Sequence, residues 1–326
     1  MIITRTPLRL SLGGGGTDLP SCYQRSGGLV VAAAINKYVY VGVHDTFAAE
    51  YLVKYSEMEK VQHAADIRHP VVREALLMHG IEPGIEVISL ADIPAGTGLG
   101  SSGAFTVGLL RAIYAHNREH VLAGSLAEEA CHIEIDRLQR PSGKQDQYVA
   151  AFGGIICMEI ARDGRVSVSP LAIDNAVLHD LEEHLLLFFT GYSRDADSML
   201  ATQKQRTEQN DQAMIDNLAE IARIGGEVRA ALERGDTTGF GTLMHEHWEL
   251  KRRRNEGMSN SAIDGWYEAG RAAGALGGKL VGAGAGGFLL FYTQEPLRLR
   301  QAMAAQGLAE VRFQFDYDGS TVVVRG

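Results

Sequence analysis

A glycine-rich segment, Ile93 to Phe105 ("IPAGTGLGSSGAF"), has the composition of a phosphate-binding turn. It holds four glycines and two serines and leads directly into an apolar segment with helical character. Free amides and the positive end of a helix dipole at Ser101 and Ser102 would bind an anion, and glycines let a backbone approach phosphate closely. The segment therefore predicts a site for nucleotide phosphates, where a serine hydroxyl could also bind Mg²⁺.

Two other nucleotide sites use glycine-rich turns, and the context of each motif disfavours them. The pattern G-x-G-x-x-G of dinucleotide-binding folds occurs at Gly98–Gly103 and at Gly282–Gly287. Such folds need a strand before the pattern and a helix after it. The first cluster instead follows a proline-bearing turn, and the second precedes the strand-like "FLLFYT". The P-loop pattern G-x-x-x-x-G-K-[ST] does not occur in the sequence.

Strands and helices must position this turn. The segments "MIITRTPLRLSL" and "VVAAAINKYVYVGVHD" have strand character and are separated by "GGGGTDLP". A turn at Asp163–Gly164 predicts a hairpin. Helical spacing predicts helices at His69–Gly80, from about Ser198 to Arg234, and onward to Arg254.

Two capping boxes predict helix starts, Ser125 with Glu128 and Ser142 with Gln145. The later segments alternate helix and strand, ending in the strand-like "EVRFQFD" and "STVVVR". This order predicts an α+β fold, with a sheet that carries helices on one face. We expect two domains, residues 1–170 and 171–326.

The composition bounds the class of protein. The 326 residues are 45% hydrophobic, enough for a packed core, and the net charge of −9 argues against a nucleic-acid or anionic-membrane surface. Three scattered cysteines, Cys22, Cys131 and Cys157, fit neither a disulfide framework nor a zinc site. The sequence has no signal-peptide pattern and no apolar run of membrane-spanning length, so we expect a cytoplasmic protein without membrane partners.

Three segments together resemble the motifs of the GHMP kinases, the family of galactokinase, homoserine kinase, mevalonate kinase and phosphomevalonate kinase. "PAGTGLGSSGAF" resembles the family motif P-x-G-x-G-L-G-S-S, "TPLRLSLGGGGTDLP" its N-terminal motif, and "KLVGAGAGGFLLF" its C-terminal glycine-rich motif. The motifs occur in the family order and span nearly the whole chain. Within the family, "RLSLGGGGTD" and "SGKQDQYVAAFGG" look most like the D-glycero-D-manno-heptose 7-phosphate kinases, a branch close to the L-fucose kinases.

The resemblance implies a fold and an activity. The fold is a ribosomal-S5-like N-terminal domain followed by a ferredoxin-like C-terminal domain, with the site between them. The activity is ATP- and Mg²⁺-dependent phosphorylation of C1 of a heptose 7-phosphate, giving the 1,7-bisphosphate for nucleotide-activated heptose synthesis. The partners implied are ATP and a small sugar phosphate, and the sequence leaves open whether the chain forms a homodimer.

The resemblance also assigns the ATP and metal sites. The metal ligands implied are Ser102 and Glu134; from the residues alone, Glu128, Glu129 and Asp136 would serve as well as Glu134. The ATP-binding residues implied are Pro94, Gly96, Gly98, Leu99, Gly100, Ser101, Ser102 and Gly103.

Asp146 matches the family's catalytic aspartate, and Arg9 matches the basic residue beside it. As a base, Asp146 would take the proton of the sugar hydroxyl, and a neighbouring cation would stabilise developing charge. Without the resemblance, Asp146 is equally an acidic group at a helix start and Arg9 an arginine on an edge strand. Asp18 matches the aspartate that binds substrate hydroxyls, although an Asx turn before proline would explain it too.

Other residues are expected to contact the substrate. They are Gly15, Gly16 and Thr17 of the first motif, Gly284 and Gly286 of the third, and Lys144 and Arg194 as ligands of the distal phosphate. We interpret the run Lys251–Arg254 ("KRRR") as a solvated helix face and His247 as structural. L-fucose kinase, another anomeric sugar kinase, and a catalytically silent sugar or ATP sensor on the same fold remain alternative functions.

Overall fold

The computed structural model describes residues 1–191, 196–254, 257–284 and 286–326, without the side chains of residues 196 and 197. The strands in this part of the chain are β1 (Ile2–Gly13), β2 (Gly28–Asp45), β3 (Tyr51–Lys54), β4 (Met58–Val61), β5 (Ile85–Ala91), β6 (Ile155–Ile160), β7 (Val166–Pro170), β8 (Leu185–Gly191), β9 (Ala275–Val281), β10 (Gly287–Thr293), β11 (Ala309–Glu310) and β12 (Thr321–Arg325).

The α-helices are α1 (Pro20–Ser26), α2 (Pro70–Met78), α3 (Ser101–His116), α4 (Ala123–Cys131), α5 (Gln145–Phe152), α6 (Asn175–His184), α7 (Ala196–Glu208), α8 (Gln212–Glu233), α9 (Thr237–Arg254), α10 (Ser261–Ala272) and α11 (Pro296–Ala305). A 3₁₀ turn covers Ala64–Asp66, and a π-helical segment, His132–Arg137, continues α4. None of the described helices is both long and apolar enough to cross a membrane.

The larger sheet is organised around the long strand β2. One edge of β2 pairs with β1 along most of its length, and the other edge pairs with β6 through its first half and with β5 through its second. The strand order is β12-β1-β2-β5-β3-β4, and β7 extends β6 as a hairpin. Helices α3 and α8 both pack on β1 and β2. Strand β1 therefore contacts both the helix that follows the phosphate-binding turn and a helix of the second half of the chain.

The second sheet has the strand order β11-β8-β10-β9, and all its pairs are antiparallel. Numbered along the chain, its strands stand in the order 4-1-3-2, and α11 connects β10 to β11. This is the β-α-β-β-α-β arrangement of a ferredoxin-like unit. Helix α9 packs on β9, where a Cβ on Gly277 would lie 1.9 Å from the carbonyl oxygen of Gly241. The close packing brings the polar end of α9 to the end of β9.

Most of the predicted elements are present, and the α+β class is confirmed. The predicted capping boxes are wrong: α4 begins at Ala123 with Leu122 at its N-cap, and α5 begins at Gln145 with Lys144 at its N-cap. Of "EVRFQFD", only Glu310 lies in a strand, and Phe315 forms an isolated bridge with Ile35.

The chain returns to its first sheet at the end. Strand β12 pairs with β1 in an antiparallel manner, with Ile2 opposite Arg325. One cluster of buried core residues also spans both halves, because it includes Leu10 of β1, Val228 of α8 and Phe288 of β10. The division at residue 170 therefore stays a prediction, and the last strand belongs structurally with the first half.

Candidate active site

The phosphate-binding turn ends in a helix start with no side-chain cap. Gly96, Gly98 and Gly100 have φ values of 78°, 83° and 77°, a region that favours glycine. Gly100 is the N-cap of α3, and no side chain caps the helix there. The first amides of a 16-residue helix thus point into the turn together with the positive end of its dipole. This geometry is suited to binding an anionic ligand.

Arg9 connects this turn to Asp146. Its Nε donates to Asp146 Oδ1 at 2.8 Å, its Nη1 donates to the carbonyl oxygen of Gly98 at 2.6 Å, and its backbone amide donates to the carbonyl oxygen of Leu99 at 3.0 Å. The Arg9 side chain is buried, whereas that of Asp146 is 28% exposed. Strand β1 therefore holds a carboxylate next to the turn while leaving it open to a ligand.

Glycines let α3 approach Asp146 closely. A Cβ on Gly100 would lie 3.1 Å from Asp146 Cγ, and a Cβ on Gly103 would lie 2.6 Å from Asp146 Cβ. Any side chain at Gly103 would collide with the first turn of α5. The structure thus brings the predicted catalytic aspartate and the predicted ATP-binding turn together.

Ser102 and Glu134 also lie together. Ser102 Oγ donates to Glu134 Oε2 at 2.8 Å. Arg140 Nη1 donates to Ser102 Oγ at 2.8 Å and to Glu134 Oε2 at 3.3 Å. The other carboxylate oxygen, Oε1, accepts hydrogen bonds from Thr106 Oγ1 and Gln147 Nε2. Glu134 lies in the π-helical segment, a distortion common at functional sites. These contacts fix one carboxylate oxygen beside the start of α3.

The pair fits the preference of Mg²⁺ for oxygen ligands. This ion usually takes one or two protein ligands and completes its shell with phosphates and waters. Among the described residues there is no cluster of three His, Cys, Asp or Glu side chains of the kind that holds a metal alone. Ser102 and Glu134 would therefore share the ion with a ligand's phosphates.

Asp18 is held by backbone amides at the other side of Asp146. Gly16 N donates to Asp18 Oδ1 at 3.0 Å and Gln145 N donates to Oδ2 at 3.1 Å. Burial, with a smaller contribution from the charge of Asp146, raises the pKa of Asp18. Thr17 is different: it is fully buried, and its hydroxyl donates to the carbonyl oxygens of Gly14 and Leu29. The expectation that Thr17 binds substrate is therefore wrong, because its hydroxyl closes the loop.

The third glycine motif packs on the second, backbone to backbone. A Cβ on Gly282 would lie 2.4 Å from Gly98 Cα, and one on Gly287 would lie 2.3 Å from the carbonyl oxygen of Thr97. Gly284 lies against Met258. Gly282 and Ala283 line the cavity described below, and substrate contacts by Gly284 and Gly286 stay a prediction.

Lys144, one of the two predicted ligands of the distal phosphate, lies away from these groups. Lys144 Nζ donates to both oxygens of Glu128, at 2.9 and 3.0 Å, and to the carbonyl oxygen of Gly164 at 2.8 Å. It lines a wide, open groove along α4 and the β6–β7 hairpin, so its predicted role is wrong. Arg194 lies outside the described residues.

A small cavity of about 110 Å³ joins these groups to the second half of the chain. Its walls come from β1 with Arg9 and Ser11, the loop at Gly15 and Gly16, the start of α5, helices α7 and α9, and the end of β9. Helix α9 and β9 contribute four basic side chains, His247, Lys251, Arg254 and Lys279, all of them buried.

Sequence reasoning missed these four side chains. His247, Lys251 and Arg254 are spaced four and three residues apart, so they share one face of α9. Lys251 and Arg254 are buried, while Arg253 between them has a side chain that is 72% exposed. The interpretation of Lys251–Arg254 as a solvated helix face is thus wrong for Lys251 and Arg254. The helical spacing was the available signal.

Burial changes the acid–base properties of this cluster. It lowers the pKa of Lys279 to about 7 and that of Arg254 to about 10. It also lowers the pKa values of Lys251 and His247, with the neighbouring cations acting in the same direction. Removing water penalises each charged form, and like charges add to that penalty.

Comparison with known proteins assigns segments in both halves of the chain to the same family. The model of the GHMP kinases N terminal domain matches residues 59–154, and that of the GHMP kinases C terminal domain matches residues 228–309. The D-glycero-alpha-D-manno-heptose 7-phosphate kinase of Campylobacter jejuni is 29% identical over 303 residues, which is 89% of each chain. The L-fucokinase/L-fucose-1-P guanylyltransferase of Bacteroides fragilis is 27% identical over 92% of this chain, which spans only 35% of that longer protein.

A solved structure is similar over its full length. The crystal structure of a D-glycero-D-manno-heptose 1-phosphate kinase from Bacteroides thetaiotaomicron superimposes with a TM-score of 0.81 at 26% identity, covering 100% of both chains. A putative sugar kinase from Campylobacter jejuni gives a TM-score of 0.76 at 27% identity, covering 98% of this chain and 97% of that one.

Proposed function

Because the chain belongs to the GHMP kinase family and is an ATP-dependent sugar kinase, we propose that its acceptor is D-glycero-D-manno-heptose 7-phosphate. The γ-phosphoryl group of ATP is transferred to the anomeric C1 hydroxyl, giving the 1,7-bisphosphate for nucleotide-activated heptose synthesis. The similarity to the Campylobacter jejuni heptose 7-phosphate kinase over most of both chains supports this acceptor.

Asp146 is proposed as the base. The sugar O1–H bond breaks as the O1–phosphorus bond forms, the proton moves to the Asp146 carboxylate, and the bond between the β–γ bridging oxygen and the γ-phosphorus breaks to release ADP. The hydrogen bond from Arg9 orients the carboxylate and adds a positive charge where charge develops. That arginine's second bond, to Gly98, keeps the base in register with the ATP turn.

The turn from Pro94 to Gly103 is proposed to bind the triphosphate. The uncapped start of α3 supports this assignment. Ser102 and Glu134 would hold Mg²⁺, which when bound there neutralises charge on the phosphates. Arg140 donates to both metal-binding oxygens in the structure, so it must shift its hydrogen bonds when the ion binds.

The small cavity is proposed to hold the sugar. Asp18, already fixed by two amides, would accept hydrogen bonds from sugar hydroxyls. Ser11 Oγ and Gln145 Oε1 are buried side-chain atoms that line this cavity and have no hydrogen-bond partner within the described part of the chain. Buried polar atoms are rarely left unpaired, which supports a polyhydroxylated ligand.

The observation that carries the proposal is the Arg9–Asp146 pair against the start of α3. The test is an ADP-release assay with heptose 7-phosphate, unphosphorylated heptose, mannose, fucose and galactose. We expect the highest kcat/KM for heptose 7-phosphate. A preference for fucose would overturn the proposed acceptor but not the kinase activity.

Asp146→Asn should bind ATP and sugar phosphate but lose turnover. Asp216→Asn, on an exposed part of α8, should keep turnover. Binding without turnover in the unaltered protein would instead support a sensor.

A further inference from the structure

The basic cluster at the end of the small cavity has no place in the transfer step described above. Lys251 and Arg254 lie on α9 and Lys279 lies on β9, and none of the three is more than 8% exposed. Burying a cation is costly unless an anion or several hydrogen-bond acceptors compensate for the lost water. Three such cations at one wall of one cavity therefore need an explanation.

The charges around the cavity do not balance. Among the described residues, the ionisable side chains that line it, apart from His247, are the cations Arg9, Lys251, Arg254 and Lys279 and the carboxylates Asp18 and Asp146. Four positive and two negative groups leave a formal excess of two positive charges. Arg9 is already paired with Asp146. The formal excess therefore lies at the wall formed by α9 and β9. A phosphate monoester, a dianion near neutral pH, would balance it and would favour the charged forms of the two lysines.

Arg254 has an unused donor at this wall. Its Nε donates to Asn217 Oδ1 at 3.1 Å and its Nη1 donates to Gln203 Oε1 at 2.8 Å. Its Nη2 is buried and has no partner among the described residues. The guanidinium is thus held rigidly by two amide side chains while one of its nitrogens is left for a ligand.

The two lysines are similarly fixed. Lys251 Nζ donates to the carbonyl oxygens of Leu280 and Gly282, and Lys279 Nζ donates to that of Leu12 at 2.9 Å and lies 3.2 Å from His247 Nδ1. An ammonium group has three donors, so each lysine keeps one beyond these two neighbours. Bound carbonyls fix the position of each ammonium without neutralising its charge.

The same wall adjoins the sugar-binding loop. A Cβ on Gly16 would lie 2.7 Å from Arg254 Nη1, and Gln203 Nε2 donates to the carbonyl oxygen of Gly16 at 2.9 Å. Gly16 is also the residue whose amide binds Asp18. The basic side chains of α9 and β9 and Asp18, the proposed ligand of the sugar hydroxyls, therefore line one cavity. Lys144, predicted from the sequence to bind the distal phosphate, lines a different groove.

We propose that Arg254, Lys251 and Lys279 form the binding site for the phosphate group that the acceptor sugar already carries. The proposal rests on the proposed function, because it presumes a phosphorylated acceptor. Arg254 Nη2 and the remaining donors of the two lysines bind the phosphate oxygens, and Gln203 positions the guanidinium. An unphosphorylated sugar leaves the excess charge unbalanced, so the wall selects for a sugar phosphate.

The test compares Arg254→Gln with Arg253→Gln, its exposed neighbour on the same helix. With heptose 7-phosphate, Arg254→Gln should raise KM about 10- to 100-fold, the range expected for losing hydrogen bonds to a charged group. The loss of kcat/KM should be at least about tenfold larger for heptose 7-phosphate than for unphosphorylated heptose, and Arg253→Gln should resemble the unaltered enzyme with both sugars. A rise in the KM for ATP alone would assign the wall to the nucleotide and overturn the proposal.

A binding measurement separates this inference from the function on which it rests. Inorganic phosphate should raise the melting temperature of the unaltered protein and of Arg253→Gln, and should do so less for Arg254→Gln and for Arg254→Lys, which keeps the charge but lacks Nη2. If phosphate binding depends on Arg254 while heptose 7-phosphate is not turned over, only the proposed acceptor fails. Equal kcat/KM for heptose and heptose 7-phosphate, with phosphate binding unaffected by both variants, would overturn the phosphate site and leave the kinase intact.

Discussion

Gly103 of α3 and Asp146 of α5 are packed so closely that a Cβ on Gly103 would lie 2.6 Å from the Cβ of Asp146. The contact joins the helix that starts at the ATP turn to the helix that carries the proposed base. Backbone packing therefore sets the distance between the two halves of the reaction. Arg9, bonded to Asp146 and to Gly98, holds the same relationship from β1.

Gly103→Ala should lower kcat while leaving α3 folded. Alanine favours a helix interior over glycine by about 1 kcal/mol, so the helix itself gains stability. The new methyl group, however, must displace Asp146 or the amide of Gln147, which would lie 3.1 Å away. We expect kcat to fall about 10- to 100-fold, as a displacement of about 1 Å at a reacting group can cause.

The control for this variant is Gly226→Ala in α8, where a Cβ would meet nothing within 4 Å. It should keep full activity and melt at the same or a higher temperature. Normal kcat in Gly103→Ala would show that the α3–α5 contact does not set the position of Asp146.

Gly282→Ala tests the contact between the second and third glycine motifs. Gly282 has a φ of 86°, and its Cβ would lie 2.4 Å from Gly98 Cα, so the variant combines backbone strain with a collision. Gly307→Ala is the matched control, because Gly307 has a φ of 77° and open space around it. The control should lose about 1–2 kcal/mol of unfolding free energy from strain alone. Gly282→Ala should lose more and should also raise the KM for ATP; equal losses in urea titrations, with ATP binding unchanged, would refute the contact's role.

The motifs could be predicted from the sequence because they are local. Glycines before an apolar helix identified the turn at Gly98 and Gly100, and period-two alternation identified β1 and β2. The pairing of β12 with β1 was not predicted, because paired residues such as Arg5 and Thr321 are 316 or more positions apart in the chain. No local pattern encodes which edge of a sheet a strand joins.

The side-chain environment of charged residues was the least predictable part. Lys144 and Lys251 are both 8% exposed, yet the first pairs with Glu128 in the open groove and the second lines the small cavity. The difference depends on which face of α9 packs on β9, a tertiary contact. Helical spacing from His247 to Arg254 showed a shared face but not that the face is internal.

Glu134→Gln should make activity depend on higher Mg²⁺ concentrations. The amide keeps the size of the carboxylate but removes the charge next to Ser102 Oγ, 2.8 Å away. Even residues behind a metal ligand change affinity or activity about 10- to 100-fold, so the loss for a direct ligand should reach about 100-fold. The measurement is initial rate against Mg²⁺ at saturating ATP, with the exposed Glu119→Gln as control. An unchanged Mg²⁺ dependence would exclude Glu134 as a ligand.

Lys279 should make the stability of the protein depend on pH above neutrality. Burial, with the charge of Arg9, lowers its pKa from 10.5 to about 7. Between these values the unfolded chain binds a proton that the folded protein has released, so the unfolding free energy rises with pH through this window. Below about pH 7 the folded state carries the full cost of the buried charge.

Lys279→Met removes this group and should flatten the rise. We expect the unfolding free energy of the unaltered protein, minus that of Lys279→Met, to increase by more than about 1 kcal/mol between pH 7.5 and 9.5, since each pH unit within the window is worth up to about 1.4 kcal/mol. Urea titrations at the two pH values measure the difference, and other titrating groups cancel in it. Lys60→Met, whose side chain is 62% exposed, should give parallel profiles. Parallel profiles for Lys279→Met as well would mean that Lys279 keeps an ordinary pKa, and hence a full positive charge, in the folded protein.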